Sequence, residues 1–417
     1  MAAPTPLAPE AASFGALRIR DYRIFLTGSV LAMMADNVEH VISYWVLYEK
    51  FKSPSLGGFA VMSHWLPFLF FSMYSGALAD RFDPRRMVQI GMGLFMFVSL
   101  AWAVLFFTDT LEMWHAAILL TVHGFAGVLW NPPSQVLLYD IVGPAQLQSA
   151  VRLSATGRWL GLLLGPAVGA GMMMLFGPHL GLVINALIYL PLMWWLWKAP
   201  YGPKFRAEKT APPRPIRSVA DIRRVLAEIA GQRTILAMSV LAGCASLFVG
   251  NAYHAQMPAF AQDLGQGRAD LTYSLLLAAD AAGALCAGIL LESSNWLRSN
   301  TRTAFVLAAA WCVSIACFAL TGSYGLALVL LFAAGFFELS FYAMAQTLVQ
   351  LDAPTPIRGA VIGLFNMCSL GFRAFSGVSV GLLGAAIGIH WSLALSAMAL
   401  LTVTLTLLGF STRTARR

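Results

Sequence analysis

Charge is the scarcest commodity in this chain. Charged residues make up 11% of its 417 positions, and 59% are hydrophobic. An average soluble domain carries about 25% charged residues, so water cannot be the main solvent of this protein. Cysteine is nearly absent as well. Cys244, Cys286, Cys312, Cys317 and Cys368 all fall in apolar stretches of the second half, none with metal-site spacing. They imply neither a disulfide framework nor a cysteine metal centre. No G-x-x-x-x-G-K-S/T phosphate loop is present, which argues against ATP hydrolysis within this chain. Met1 to Arg20 is rich in Ala and Pro without a short apolar core and cleavage site. It reads as a cytosolic lead-in rather than a signal peptide. The net charge of +8 does not point to nucleic acid, because the basic residues sit in short connectors between apolar runs.

What the chain has in abundance is apolar runs. They fall at about 23–47, 56–78, 87–107, 113–138, 147–175, 180–197, 234–260, 271–291, 303–321, 325–349, 359–386 and 391–410. Runs near 20 residues match the hydrocarbon thickness, and backbone in lipid must bond internally, so each is expected to be a helix. With the N-terminus inside, the inner connectors hold Arg18, Arg20, Arg23, Arg81, Arg85, Arg86, Arg152, the 198–233 segment, Arg298, Arg302, Arg358 and Arg413 onward. The outer ones hold only Lys50, Lys52 and Arg268. Both termini are therefore expected in the cytoplasm. The 198–233 segment carries Pro200, Pro203, Pro212, Pro213 and Pro215, the mark of a linker. Its end repeats Ile216, Val219, Ile222, Leu226 and Ile229 opposite Arg217, Arg223, Arg224 and Glu228, as an amphipathic helix on the inner membrane surface or a solvated linker helix would. The chain thus divides into residues 1–197, a linker at 198–233, and 234–417. A weak internal repeat, Gln135-Val136-Leu137-Leu138 against Gln346-Thr347-Leu348-Val349, agrees with paired six-helix halves.

The connector after the second run reads Gly76-Ala77-Leu78-Ala79-Asp80-Arg81-Phe82-Asp83-Pro84-Arg85-Arg86. This pattern resembles the loop between the second and third helices of the major facilitator superfamily. Gly161-x-x-x-Gly165-Pro166-x-x-Gly169 in the fifth run resembles the Gly-Pro signature of that superfamily's antiporters. Arg358-Gly359, after Pro354 and Pro356, resembles a connector in its macrolide- and siderophore-exporter branch. Asp83-Pro84 departs from the common loop, where a glycine is frequent. The resemblance implies an all-α membrane protein, twelve helices in two bundles around a central cavity. It also implies a gating cluster in which Asp80 meets the eleventh helix while Arg81 or Arg85 reaches Asp140. Gly76 is read here as the small residue that a tight turn requires.

Polar residues inside the runs are the candidates for chemistry. Asp36, Glu39 and His40 stand at i, i+3 and i+4 and share one helical face. Each carboxylate would cost about 2.5–3.5 kcal/mol facing lipid, so the face must meet water, protein or substrate. Glu338 and Tyr342 share a face in the tenth run, Asn251 and His254 in the seventh, and His123 lies in the fourth. Arg158 and Arg373 are the basic residues well inside runs, at comparable places in the two halves. An acidic counter-ion is the favoured reading for each, capture of an anionic group the other.

These readings combine into a proton-coupled secondary transporter that exports an amphipathic small molecule. It is expected to act as a monomer in lipid, in a bacterial-type cytoplasmic membrane, drawing on the proton gradient with no cofactor and no resident metal. A divalent-metal or metabolite transporter of the same fold is the alternative, since Asp36, Glu39, His40, Asn251 and His254 offer oxygen and nitrogen ligands. An enzyme is disfavoured: Gly377-Val378-Ser379-Val380-Gly381 matches G-x-S-x-G, but without the strand-to-helix turn that gives it meaning.

Overall fold

The computed structural model describes residues 13–205, 219–250, 252–264, 269–294 and 299–414. Among these there is no strand. The helices are α1 (Arg20–Phe51), α2 (Pro54–Arg81), α3 (Pro84–Phe107), α4 (Met113–Ile188), α5 (Leu190–Lys198), α6 (Val219–Ile229) and α7 (Arg233–Phe248). There follow α8 (Ala252–Asp263), α9 (Ala269–Ser294), α10 (Thr301–Leu320), α11 (Tyr324–Asp352), α12 (Arg358–Asn366), α13 (Arg373–Ile387) and α14 (Ile389–Thr414). All twelve expected runs are helical.

Glycine–proline pairs set the breaks. In α4 only Gly143 (φ 66°) and Gly177 (φ 75°) leave helical geometry, and Pro144 and Pro178 follow them. Glycine reaches a positive φ without a Cβ clash, and the next proline is preset to start a helix. The two breaks divide α4 into three crossings, the last continued by α5. The paired prolines Pro132 and Pro133, expected to distort the fourth crossing, leave its backbone helical. At the turn into α3, Asp83 accepts from Arg85 N at 3.0 Å and Pro84 occupies the first turn. The departure from the common loop is thus an N-cap followed by a favourable N1 residue.

α7 and α8 form one interrupted crossing around Gly250 (φ 45°). α12 and α13 form another, joined by a π-helical turn at Met367–Gly371. Irregular backbone inside a membrane is tolerated where it is buried in protein or lines a cavity. Gly377–Gly381 lies inside α13, so the G-x-S-x-G match is helical and not a nucleophile elbow.

Close helix approach explains the glycines. Gly157, Gly161, Gly165 and Gly169 form a stripe against α1, facing Val30, Met33, Asn37 and Val38 in turn. A Cβ on Gly165 would collide with Asn37 Cβ, so Gly165→Ala is expected to cost about 1–3 kcal/mol. Thermal unfolding of the purified variant checks this, and an unchanged midpoint would contradict the packing. Gly76 lies within α2, where a Cβ would strike the Gly359 carbonyl of α12. It serves a helix crossing and not the tight turn expected of it. α6 forms, but Val225 and Ile229 are buried in the core built from residues of α7 to α14. Its apolar face therefore docks largely on protein rather than lying on lipid.

The first and second halves of the chain meet at the connector ends of their helices. Asp80 Oδ1 accepts from Gly359 N at 2.6 Å and Oδ2 from Ala360 N at 2.9 Å. Arg152 Nη1 donates to Leu291 O at 2.7 Å, and Ser149 Oγ donates to Glu292. Deeper in, Gln135 donates to Asn366 at 3.1 Å and accepts from Gln350 at 3.2 Å. The basic connectors share this face. On the opposite face Lys50 bonds Asp109 at 2.6 Å, within the first half. That hydrogen bond, with the lysine charge, holds the exposed Asp109 carboxyl below its ordinary value.

Candidate functional site

A cavity of about 460 Å³ lies between the halves. Its walls come from α1, α2, α3 and α4 on one side and from α8, α11, α12, α13 and the π-helical turn on the other. Half-exposed Tyr44 and Val61 line it away from the connector face, so it opens on the opposite side. Aromatic rings dominate the walls, among them Trp65, Phe68, Trp130, Trp159 and Phe365. Of the residues singled out in the sequence, Asp36, His40, Arg158, His254, Glu338, Tyr342 and Arg373 line this space. Asn251 lies outside the described residues.

Glu39 and His123 do not line it. The i, i+3, i+4 face divides: Asp36 and His40 reach the cavity, whereas Glu39 is buried behind them. One helical face spans more arc than one cavity wall, and α3 and α4 close over its far edge. Glu39 Oε2 accepts from Ser99 Oγ, which accepts from Asn185 Nδ2 at 3.2 Å. Its Oε1 lies 2.8 Å from His123 Nδ1. A carboxylate only accepts, so the imidazole proton sits on Nδ1. His123 Nε2 in turn lies 2.8 Å from Asp36 Oδ1. His64 of α2 completes the group, its ring centroid 5.1 Å from that of His40 and 5.5 Å from that of His123.

A second polar cluster faces it from the other half. His254 Nε2 is 3.0 Å from Asp280 Oδ2. Tyr253 donates to Glu338 Oε2 at 3.2 Å and lies 3.4 Å from both Asp280 oxygens. Asp280 and Tyr253 are buried, while His254 and Glu338 touch the cavity. Tyr253 went unnoticed in the sequence, since a tyrosine in an aromatic-rich run carries no signal of its own.

The two arginines differ from their favoured reading. Among the described residues neither Arg158 nor Arg373 has a carboxylate within ion-pair distance, although both line the cavity. Arg373 instead stands 5.4 Å from the Trp65 ring and 5.9 Å from the Tyr342 ring. Such cation–π contacts soften the cost of an unpaired guanidinium. The gating cluster also needs correction. Asp80 does meet the start of α12, but Arg85 is held by Asp83 at 2.6 Å and by the Ala199 carbonyl. Arg81 stacks on Phe82 and Arg86 on Trp197. Neither Arg81 nor Arg85 pairs with Asp140, because Asp83 captures Arg85 two residues away.

The family model described as Major Facilitator Superfamily matches residues 24–377. The chain belongs to the major facilitator superfamily. It is 26% identical over 221 residues to the uncharacterized MFS-type transporter YfiS of Bacillus subtilis (strain 168), covering 50% of this chain and 49% of that one. It therefore spans about half the length of the curated relative it matches. Among solved structures it is similar to the human organic anion transporter MFSD10, with a TM-score of 0.75, 12% identity, and 93% and 99% of the two chains covered. It is similar to a bacterial homologue of the iron transporter ferroportin in an outward-facing state, with a TM-score of 0.71, 16% identity, and 94% and 100% covered. The E. coli fucose:proton symporter FucP gives a TM-score of 0.71 at 11% identity, with 94% and 99% covered. At these identities the likeness shows the fold. The chain is thus a multi-span membrane protein of this superfamily, and its cavity lies between the halves of a major facilitator fold.

Proposed function

We propose that this protein is a proton-coupled exporter of an amphipathic organic anion, working by alternating access. One observation carries the reading: Arg158 and Arg373, one from each half, face an aromatic-lined cavity with no carboxylate within ion-pair distance of either among the described residues. A guanidinium left without a counter-ion in a low-dielectric wall is costly, and a carboxylate or phosphate on the cargo would relieve both. The rings Trp65, Trp130 and Trp159 then take the apolar part.

The positive-inside rule places the basic connector face in the cytoplasm. The described conformation is then outward-facing and sealed on the cytoplasmic side. Residues 1–197 and 234–417 are the two rocking bodies, with 198–233 as their tether. The Gly161–Gly169 segment, antiporter-like in pattern, favours export. The protein works as a monomer in a bacterial-type cytoplasmic membrane and needs no cofactor, since one charge crossing 100 mV supplies about 2.3 kcal/mol.

Coupling is assigned to Glu338. It faces the cavity, and Tyr253 links it to Asp280 and His254. That chain of hydrogen-bonding groups gives a proton a route between a cavity-facing carboxylate and a buried one. The test is flux of a fluorescent aromatic carboxylate in proteoliposomes under an imposed pH gradient. In Glu338→Gln, gradient-driven flux is expected to fall to background while counterflow exchange of the dye persists. Unchanged gradient-driven flux would sink the assignment.

A further inference from the structure

We infer that the first-half side of the cavity, from its wall to the buried His123 behind it, is a binding site for a first-row divalent transition-metal ion, held by His40, His64, His123 and Asp36. His40, His64 and His123 each offer a ring nitrogen, and the three atoms lie within 4.8 Å of one another. They come from α1, α2 and α4, so no local motif announces them.

Three buried atoms in this group have no hydrogen-bond partner: Asp36 Oδ1, His64 Nδ1 and His123 Nε2. The case turns on His123. In the neutral ring that gives its Nδ1–H to Glu39, Nε2 keeps a lone pair. That lone pair lies 2.8 Å from Asp36 Oδ1, another electron-rich atom. Two such atoms repel unless a positive centre lies between or beside them. The contact falls outside good hydrogen-bond geometry. A metal ion set to one side of the N–O line suits both. Donors about 2.1 Å from a shared ion stand roughly 3.0–3.4 Å apart, so the site would have to contract from the 4.8 Å limit on loading.

The support behind the site is of the kind that metal histidines use. A ligating imidazole usually gives its other N–H to a carboxylate, which is itself held. Here Glu39 takes the His123 proton, Ser99 donates to Glu39, and Asn185 donates to Ser99. Glu39 is thus a positioning residue. Three imidazoles and one carboxylate favour zinc, cobalt, nickel or ferrous iron over magnesium or calcium. No cysteine stands in the first half of the chain, so a thiolate-dependent ion has no ligand there.

This inference does not depend on the anion or on Glu338. The experiment is titration of the purified, tag-free full-length protein with Co²⁺, reading its visible ligand-field bands, then displacement with Zn²⁺ and challenge with Mg²⁺. One equivalent of Co²⁺ is expected to develop the bands, Zn²⁺ to abolish them and Mg²⁺ to leave them unchanged. His64→Ala and His40→Ala, both at the cavity wall, are expected to lose the bands while their metal-free thermal unfolding stays near that of the parent. Glu39→Gln is expected to weaken affinity about 10- to 100-fold while preserving the band shape, because it orients a ligand without being one. Absence of bands in the parent, or equal affinity in both histidine variants, overturns the site and leaves a protonated histidine–carboxylate cluster.

Discussion

Arg158→Gln and Arg373→Gln are each expected to weaken binding of an aromatic carboxylate by about 2 kcal/mol, roughly thirtyfold in Kd. The figure is that of one charge-assisted hydrogen bond. The sign on the empty protein should be opposite. Two guanidinium groups face one cavity with no carboxylate within ion-pair distance of either among the described residues, so removing either relieves repulsion and a solvation cost. The unliganded variants should unfold at the same temperature as the parent or above it, while the stabilisation given by the dye shrinks. This pairing separates ligand capture from a structural role. An arginine that held helices together would lower the unliganded midpoint when replaced. The same dye without its carboxylate should bind parent and variants alike. Equal loss for the charged and uncharged dyes would refute the anion reading.

Asp80→Asn is expected to release the connector face. Asp80 caps the start of α12 with two short bonds, to Gly359 N and Ala360 N. Those amides belong to a helix N-terminus, whose first N–H groups lack partners inside the helix and carry the positive end of its dipole. Asparagine keeps the shape but loses the charge and one acceptor, at a cost of about 1.5–3 kcal/mol. That cost falls on the closed arrangement alone, so the population should shift about 10- to 100-fold toward the state open on this face. Spin labels paired across the connector face should report longer distances, and pairs across the opposite face shorter ones. Unchanged distributions would show that the Gly76–Gly359 crossing, and not Asp80, holds the face shut.

Much of the architecture was legible before any coordinates. Runs near 20 residues, separated by basic connectors, have one physical solution in lipid. The Asp83-Pro84 cap and the breaks at Gly143-Pro144 and Gly177-Pro178 follow from local backbone preferences. The site was legible only in part. Asp36, His40, Glu338, Arg158 and Arg373 stood out because ionisable groups are expensive in hydrocarbon, and that cost can be read from one residue and its neighbours. His64 and Tyr253 carry no signal in the sequence, because each matters only through residues on other helices.

The sequence by itself determined the helices, their lengths and which faces could not meet lipid, since these depend on contacts within a few residues along the chain. Only tertiary structure decided that Glu39 turns from the cavity toward Ser99, that Asp83 rather than Asp140 holds Arg85, and that Gly76 serves a crossing with α12. It alone left Arg158 and Arg373 facing open space and brought three histidines from three helices into one cluster. Those outcomes depend on how helices rotate and pack against partners as far as 280 residues away, and helical periodicity carries no record of that choice.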